Sequence, residues 1–135
     1  MNALRAQSET IYAITRIVIG LLFSLHGVEK IFGVLSRDEP VALFSLLGAA
    51  GVIELVAGVL ICVGLWTSWA AFIASGQMAF AYFIAHQPRG GLPLENDGER
   101  SVIYCFIFLY FAAKGSGLLS LDHNMAHSDG GNVST

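Results

Sequence analysis

The sequence is poor in charged residues and in cysteine. Only 13% of its 135 residues are Asp, Glu, Lys or Arg, about half the share in an average soluble domain. Its Lys and Arg number 7 and the net charge is -3, so a basic surface for nucleic acid is lacking and nucleic acid is excluded as a partner. The 2 cysteines form no CxxC or Cys/His spacing for zinc, thioredoxin chemistry or attached haem. We expect Cys62 and Cys105 to be buried, unreactive thiols.

Hydrophobic residues, in contrast, make up 55% of the chain. A chain of this length buries only about two-thirds of its surface and would leave many of these side chains in water, which favours lipid as the solvent. Residues 55–88 contain no charge and would form a helix about 50 Å long, beyond the ~30 Å core of a bilayer. The segment must therefore fold back, and Gly64 and the tryptophans that follow it predict a turn there.

We expect four membrane-spanning helices, at about 11–35, 41–64, 67–86 and 101–121. With short connections these spans predict an all-α fold, an integral membrane antiparallel four-helix bundle. The bundle domain covers residues 11–122. It is preceded by an N-terminal segment, 1–10, and followed by a disordered polar tail, 123–135.

The flanks of the spans bear on processing and orientation. No small-x-small cleavage site follows the apolar segment Ile17 to Leu25, since His26, Glu29 and Lys30 come next, which favours an uncleaved helix over a signal peptide. Arg37 and Arg89 lie in the first and third loops, whereas Arg5 alone marks a terminus, so the pattern places these loops in the cytoplasm and the termini outside.

One face of the first span carries two charges. Arg16, Gly20, Phe23, Gly27 and Lys30 follow helical spacing along it. A charge at membrane depth costs about 2.5 to 3.5 kcal/mol and needs a partner, a wet cavity or an exit to the interface. Arg16 and Lys30 are about 21 Å apart along the helix, so they cannot share one partner.

Glu54 is the most informative ionisable residue, because its own helix offers it no partner. It must pair with a cation on another helix or stay protonated, and Arg16, His26 and Lys30 are the candidate partners. A structural ion pair and a proton-relaying or ligand-contacting carboxylate are both open at this point.

Other polar groups are expected near the same interior. Glu29 and Lys30 can form a local acid-base cluster with His26, or they can extend to water at the helix end. Gln77 and His86 of the third span add polar groups. A haem between His26 and His86 is disfavoured, because their positions show no match in depth.

Three stretches of the chain carry a family resemblance. They are Arg16–Gly33 (RIVIGLLFSLHGVEKIFG), Gly51–Ala70 (GVIELVAGVLICVGLWTSWA) and Lys114–Asp122 (KGSGLLSLD). Together they resemble the DoxX family of small four-helix membrane proteins, over about Ile11 to Asp122. Lys114 departs from the small or apolar residue more usual in relatives.

The resemblance implies a multi-pass protein of a bacterial or archaeal inner membrane. Relatives are linked to quinone-coupled thiosulfate oxidation, to quinone or catechol stress and to redox-stress complexes, and are often labelled oxidoreductases. We therefore expect a quinone-associated membrane subunit of a redox or redox-stress system. The candidate catalytic residues are Glu54, His26, Arg16 and Lys30. The candidate quinone pocket is formed by Arg16, His26, Glu54 and Gln77, with no metal site.

The redox interpretation requires an electron source outside this sequence. The chain has no GxGxxG motif and no iron–sulfur cysteine set, so we expect a soluble redox partner subunit to deliver electrons. Two alternatives are a non-catalytic scaffold that docks a soluble redox enzyme and a small-molecule transporter, the latter requiring a homo-oligomer.

Overall fold

The computed structural model describes residues 1–129, which form helices and contain no β-strand. The α-helices are α1 (Asn2–Ala6), α2 (Ser8–Phe32), α3 (Leu46–Val63), α4 (Thr67–Ala81), α5 (Glu99–Lys114) and α6 (Leu121–Asp129). A π-helical turn, Tyr82–His86, and a 3₁₀ turn, Gln87–Arg89, continue α4. The all-α class expected from the sequence is confirmed for these residues.

The first two predicted spans are displaced by their caps. α2 ends at Phe32, before the predicted limit of 35, because Gly33 adopts the left-handed conformation (φ 62°) that closes a helix. α3 begins at Leu46 rather than at 41, because Ser45 caps it and accepts a hydrogen bond from the backbone of Gly48 at 3.0 Å.

The prediction for the fourth span was wrong in its last third. α5 ends at Lys114 rather than at 121, since Gly115, Gly117 and Leu119 all have positive φ angles (82°, 62° and 52°) that no α-helix accommodates. At this end of α5 the Lys114 ammonium pairs with Glu9 of α2 at 2.7 Å.

The expected disordered tail is also wrong over 123–129, because α6 covers these residues. Ser120 starts this helix by accepting a hydrogen bond from the backbone N–H of His123 at 3.2 Å. The rest of the predicted tail, 130–135, lies outside the described residues. At the other terminus, α1 and the start of α2 lie in the segment 1–10.

Small residues bring α2 and α3 together. A Cβ added to Gly20 would lie 2.6 Å from the backbone nitrogen of Cys62, and one on Gly58 would lie 2.5 Å from that of Ser24. Such approaches leave no room for a side chain, so the two helices pack backbone to backbone. α3 in turn contacts α4, and α4 contacts α5.

Aromatic rings fill the space between α2 and α5. Phe23 of α2 lies with its ring centroid 4.6 Å from that of Phe108, and both are buried. Ala70, Ala71 and Ala74 form the buried face of α4. The core therefore joins small residues on α3 and α4 to large rings from α2 and α5.

The outward surface of the helices is apolar. Three helical stretches among the described residues are long and apolar enough to cross a bilayer: Ser8–Phe32, Leu46–Val63 and Thr67–Arg89. Large side chains such as Phe72 and Phe80 project outwards on them. An apolar exterior around a core with buried Arg16 and Glu54 fits a lipid environment.

Candidate functional site

A charged cavity of ≈ 390 Å³ opens at one end of the helices. It lies between the end of α2, the first half of α3, the π-helical turn after α4 and the start of α5. Its volume is within the range of about 300 to 1,000 Å³ usual for small-molecule sites. The lining residues are Phe23, His26, Glu29, Lys30, Ser36, Arg37, Glu54, Met78, His86, Asp97, Arg100, Ser101 and Tyr104. We call this space the polar cavity.

An ion pair between α2 and α3 forms the floor of the polar cavity. The Lys30 ammonium donates to both carboxylate oxygens of Glu54, at 2.5 and 2.7 Å. Glu54 is 2% exposed, whereas Lys30 keeps 20% of its side chain exposed. From α4, the Gln77 amide donates to Glu54 Oε1 at 3.1 Å. Of the partners considered for Glu54, the structure selects Lys30.

The pair depends on how closely α2 and α3 approach. Gly27 lies against the backbone of Leu55 and against the carbonyl oxygen of Gly51, which a Cβ on Gly27 would meet at 2.7 Å. This contact is at the level of Lys30 and Glu54 in both helices, so the two charged side chains reach each other across the same crossing.

A second acid-base pair lies on the α2 side of the polar cavity. His26 Nδ1 is 3.7 Å from the Glu29 carboxylate, and the imidazole is 40% exposed. Glu29 also accepts a hydrogen bond from the hydroxyl of Ser36. Ser36 reaches it because the chain folds back after Gly33, with the N–H of Val41 donating to the Lys30 carbonyl at 2.9 Å.

The opposite wall is formed by the turn after α4 and by the start of α5. His86 is held by the Arg89 guanidinium, which lies 2.8 Å from its Nδ1. Asn96 is buried and fixes the connection by donating to the Gly90 carbonyl at 2.8 Å. Tyr104 projects from α5 towards His26, with 6.4 Å between the ring centroids.

Exposed charges of both signs surround the mouth. Arg37, Asp97 and Arg100 line the polar cavity and are exposed to solvent. Together with Glu29, Lys30 and Glu54 they make the charge of the lining balanced. The cavity therefore offers both hydrogen-bond donors and hydrogen-bond acceptors to a neutral polar molecule.

Arg16 lies outside the polar cavity, which corrects its place in the candidate quinone pocket. It is fully buried and donates to the carbonyl oxygens of Ile61, Cys62 (2.9 Å) and Leu119 (2.8 Å). The first two belong to the last turn of α3, where helical carbonyls have no partner within the helix and carry partial negative charge. Arg16 therefore acts as a clamp that joins α2, the end of α3 and the segment after α5.

The remaining expected site residues are partly brought together. His26, Lys30 and Glu54 line the polar cavity, and Gln77 contacts Glu54 from beneath without lining it. His86 lines the same cavity as His26, a match that their sequence positions did not show. Within residues 1–129, no group of three His, Cys, Asp or Glu side chains is placed to hold a metal ion. Cys62 and Cys105 are free and partly exposed rather than buried.

Sequence reasoning missed the contribution of α5. Arg100, Ser101 and Tyr104 line the polar cavity, and they share one face of a helix at three- and four-residue spacing. This spacing, which continues through buried Phe108 and Phe111, is a signal that could have placed Tyr104 towards the interior.

These features define a helical membrane protein with a charged cavity at one end. Comparison with known proteins gives its family: the DoxX family profile matches residues 11–87. An uncharacterized protein of Haemophilus influenzae is 37% identical to it over 91% of this chain and 96% of the relative. No solved structure matches the chain. The chain belongs to the DoxX family.

Proposed function

We propose that the chain is a quinone-binding membrane subunit of a redox or redox-stress system, residing in the inner membrane as an antiparallel four-helix bundle. In this arrangement α2, α3, α4 with its continuation, and α5 cross the bilayer. α5 is about 24 Å long and carries its charges at its ends, Glu99 and Arg100 at the start and Lys114 at the finish. The uncharged stretch between them, 101–113, is about 20 Å long, so we propose α5 as a short fourth span around which the bilayer thins.

The observation that carries the proposal is the polar cavity with a buried, hydrogen-bonded ion pair at its floor. A quinone carbonyl accepts hydrogen bonds, so a fitting site must present donors within a space the size of a ring. Lys30, His26 and Tyr104 all line the cavity and carry donor groups. The residues present therefore fit a quinone head group.

Each of these residues has a distinct task in the proposal. Glu54 fixes the Lys30 ammonium through both oxygens, so that the remaining N–H of Lys30 is oriented. His26, half open to solvent and beside Glu29, can hold a proton and exchange it with water at the mouth. Tyr104 donates a hydrogen bond from the α5 side. A bound quinone accepts electrons and protons, and the chain's residues position it and provide the protons.

Electrons would come from a redox partner docked at the mouth. The exposed charges of Arg37, Asp97 and Arg100 lie around the opening, where a soluble partner could reach a bound ring. A transporter would need a path to the opposite end, and there Arg16 and its four carbonyl acceptors fill the space between α2, α3 and the segment after α5. This observation favours binding at one end over permeation.

The test is quinone binding to the full chain in lipid nanodiscs. The probe is a benzoquinone with every ring position substituted and a decyl tail, measured against empty nanodiscs. We expect saturable binding that Tyr104→Phe or His26→Gln weakens about fivefold to tenfold, as expected for loss of one hydrogen bond. Tyr110→Phe is the matched control, because Tyr110 is an exposed tyrosine of the same helix near its other end. Absence of binding above empty nanodiscs, or equal affinities in all variants, would refute the proposal.

A further inference from the structure

A second cavity, of ≈ 380 Å³, lies beside the polar cavity between the end of α4 and the start of α5. Its lining is almost wholly apolar and consists of Ala79, Tyr82, Phe83, Pro93, Ser101, Val102, Cys105 and Phe106. Phe83 is 64% exposed and Phe106 is 65% exposed. These two rings face away from the core, so the cavity is open to the side. We call it the lateral groove.

The lateral groove and the polar cavity are neighbours that share a wall. Ser101 lines both. On α5, Tyr104 faces the polar cavity whereas the next residue, Cys105, faces the groove. The two spaces therefore lie on either side of the first turns of α5.

The two ends of the π-helical turn also face the two different spaces. Tyr82 and Phe83, at its start, line the lateral groove, while His86, at its end, lines the polar cavity. A π-helical turn is a rare element that is frequently found at functional sites. Here it distributes apolar and polar side chains between the two adjoining spaces.

We infer that the lateral groove binds the hydrocarbon tail of the ligand whose ring occupies the polar cavity, so that the site takes a long-tailed membrane quinone that enters from the lipid. The inference rests on the proposed function and names its ligand class. The groove opens sideways between two helices whose outer faces are apolar. A hydrocarbon tail in the groove would exchange contacts with lipid for contacts with the apolar lining. The ring of the same quinone would then reach the hydrogen-bond donors of the polar cavity.

The first test compares two quinones with the same fully substituted ring, one with a decyl tail and one with a methyl group in its place. Full substitution prevents the ring from adding to a thiol. Both are measured against nanodiscs of phosphatidylethanolamine and phosphatidylglycerol that contain the full chain. Affinity is taken per mole fraction in the bilayer, so that partitioning of the tail into lipid is not counted.

A groove-filling variant tests where the tail lies. Val102→Phe places a ring in the groove, and Val59→Phe makes the same change on the outward face of α3. We expect Val102→Phe to weaken binding of the decyl quinone about tenfold, since it displaces a few buried methylene groups. Binding of the methyl quinone should change less than twofold, and Val59→Phe should leave both affinities unchanged.

The native thiols provide a readout that is independent of affinity. Cys105 lines the groove, whereas Cys62 lies near the Arg16 clamp and outside both spaces. We expect the decyl quinone to slow alkylation of Cys105 and not of Cys62, with the methyl quinone slowing neither.

The outcomes separate the inference from the proposed function. Suppose that both quinones bind equally, that Val102→Phe has no effect and that Cys105 is not protected. The tail then lies elsewhere, and the inference fails while the proposed function stands. If Cys105 is already protected by lipid and the quinone changes nothing, a phospholipid chain occupies the groove and the inference also fails. If neither quinone binds, the proposed function fails and the inference falls with it.

Discussion

The two ends of the helices treat buried charge in opposite ways. At one end, which we call the closed end, the Arg16 guanidinium donates all its hydrogen bonds to backbone carbonyls of α3 and of the segment after α5. At the other end, Lys30 and Glu54 bind each other side chain to side chain and remain in contact with a cavity. Both cations lie on the same face of α2, so the helix itself does not decide their roles.

Further contacts reinforce the closed end. The Tyr12 hydroxyl donates to the carbonyl of Gly115, and Asp122 accepts from the backbone of Trp66 at 3.1 Å. The N–H of Asp122 donates to the Gly64 carbonyl at 3.0 Å. Helix ends and the segment after α5 are thus tied to each other. A cavity of ≈ 420 Å³ at this end, between α1, the start of α2 and α5, has a mainly apolar lining that does not include Arg16. The comparison indicates that a buried charge satisfied by backbone serves the fold, while one facing a cavity is available for a ligand.

The largest effect on stability is expected from Arg16→Met. It removes the donors from several buried carbonyls at once, and we expect a loss of about 3 kcal/mol or more. Arg16→Lys keeps the charge but not the planar fork, so its loss should be intermediate. Unfolding in detergent micelles is the measurement. Arg5→Met, at an exposed position near the terminus, is the control and should change little; an equal loss in both variants would contradict the clamp.

Glu54→Gln should rank next, because it leaves the Lys30 ammonium facing a neutral amide. We expect a loss of about 2 to 4 kcal/mol, most of it due to the charge that has lost its partner. The double variant Lys30→Met/Glu54→Gln removes both charges and should regain most of the stability. If the double variant is as unstable as the single one, the pair holds the fold in a way that two neutral side chains cannot replace.

A smaller loss is expected where α2 and α3 cross. Gly58→Ala would place a Cβ against the backbone of Ser24 and should cost about 1 to 3 kcal/mol by overpacking. Gly76→Ala is the matched control on α4, since a Cβ there meets nothing within 4 Å, and it should stabilise the helix by about 0.5 to 1 kcal/mol. Changes of opposite sign in the free energy of unfolding of the two variants would confirm the close crossing of α2 and α3. A loss of stability in Gly76→Ala alone would contradict it.

The smallest effect is expected from the exposed ion pair at the closed end. Glu9→Gln removes the partner of Lys114, whose ammonium also lies 4.7 Å from the centre of the Tyr12 ring. Pairs of this kind are screened by salt. The free energies of unfolding of Glu9→Gln and of the wild type should therefore converge as the salt concentration is raised. The Arg16 variants should remain less stable than the wild type at every salt concentration.

Much of the fold could be predicted from the sequence. Helical spacing placed Arg16, Gly20, Phe23 and Gly27 on one face of α2, and all of them are buried. The tight turn near Gly64 follows from hydropathy and bilayer thickness, and α4 begins at Thr67 as predicted. The end of α5 was missed because Gly115 and Gly117 follow an apolar run, and only their positive φ angles reveal that the helix stops.

The site was less predictable, because it depends on pairings between helices. Sequence spacing separates Arg16 from Lys30, but it does not tell which of them meets Glu54; the close approach of Gly27 to α3 decides that. His86 enters the polar cavity through a π-helical turn, which no simple periodicity indicates. The four-residue spacing from Arg100 to Tyr104, in contrast, does predict that the two share one face of α5.

The most direct test measures stability and quinone binding side by side in the two kinds of variant. We predict that Arg16→Met lowers stability while the protein that remains folded binds the decyl quinone with unchanged affinity. Lys30→Met/Glu54→Gln should instead stay nearly as stable as the wild type and lose the quinone. The division between a structural end and a ligand-binding end would be contradicted if the double variant bound the quinone as tightly as the wild type, or if Arg16→Met abolished binding in folded protein.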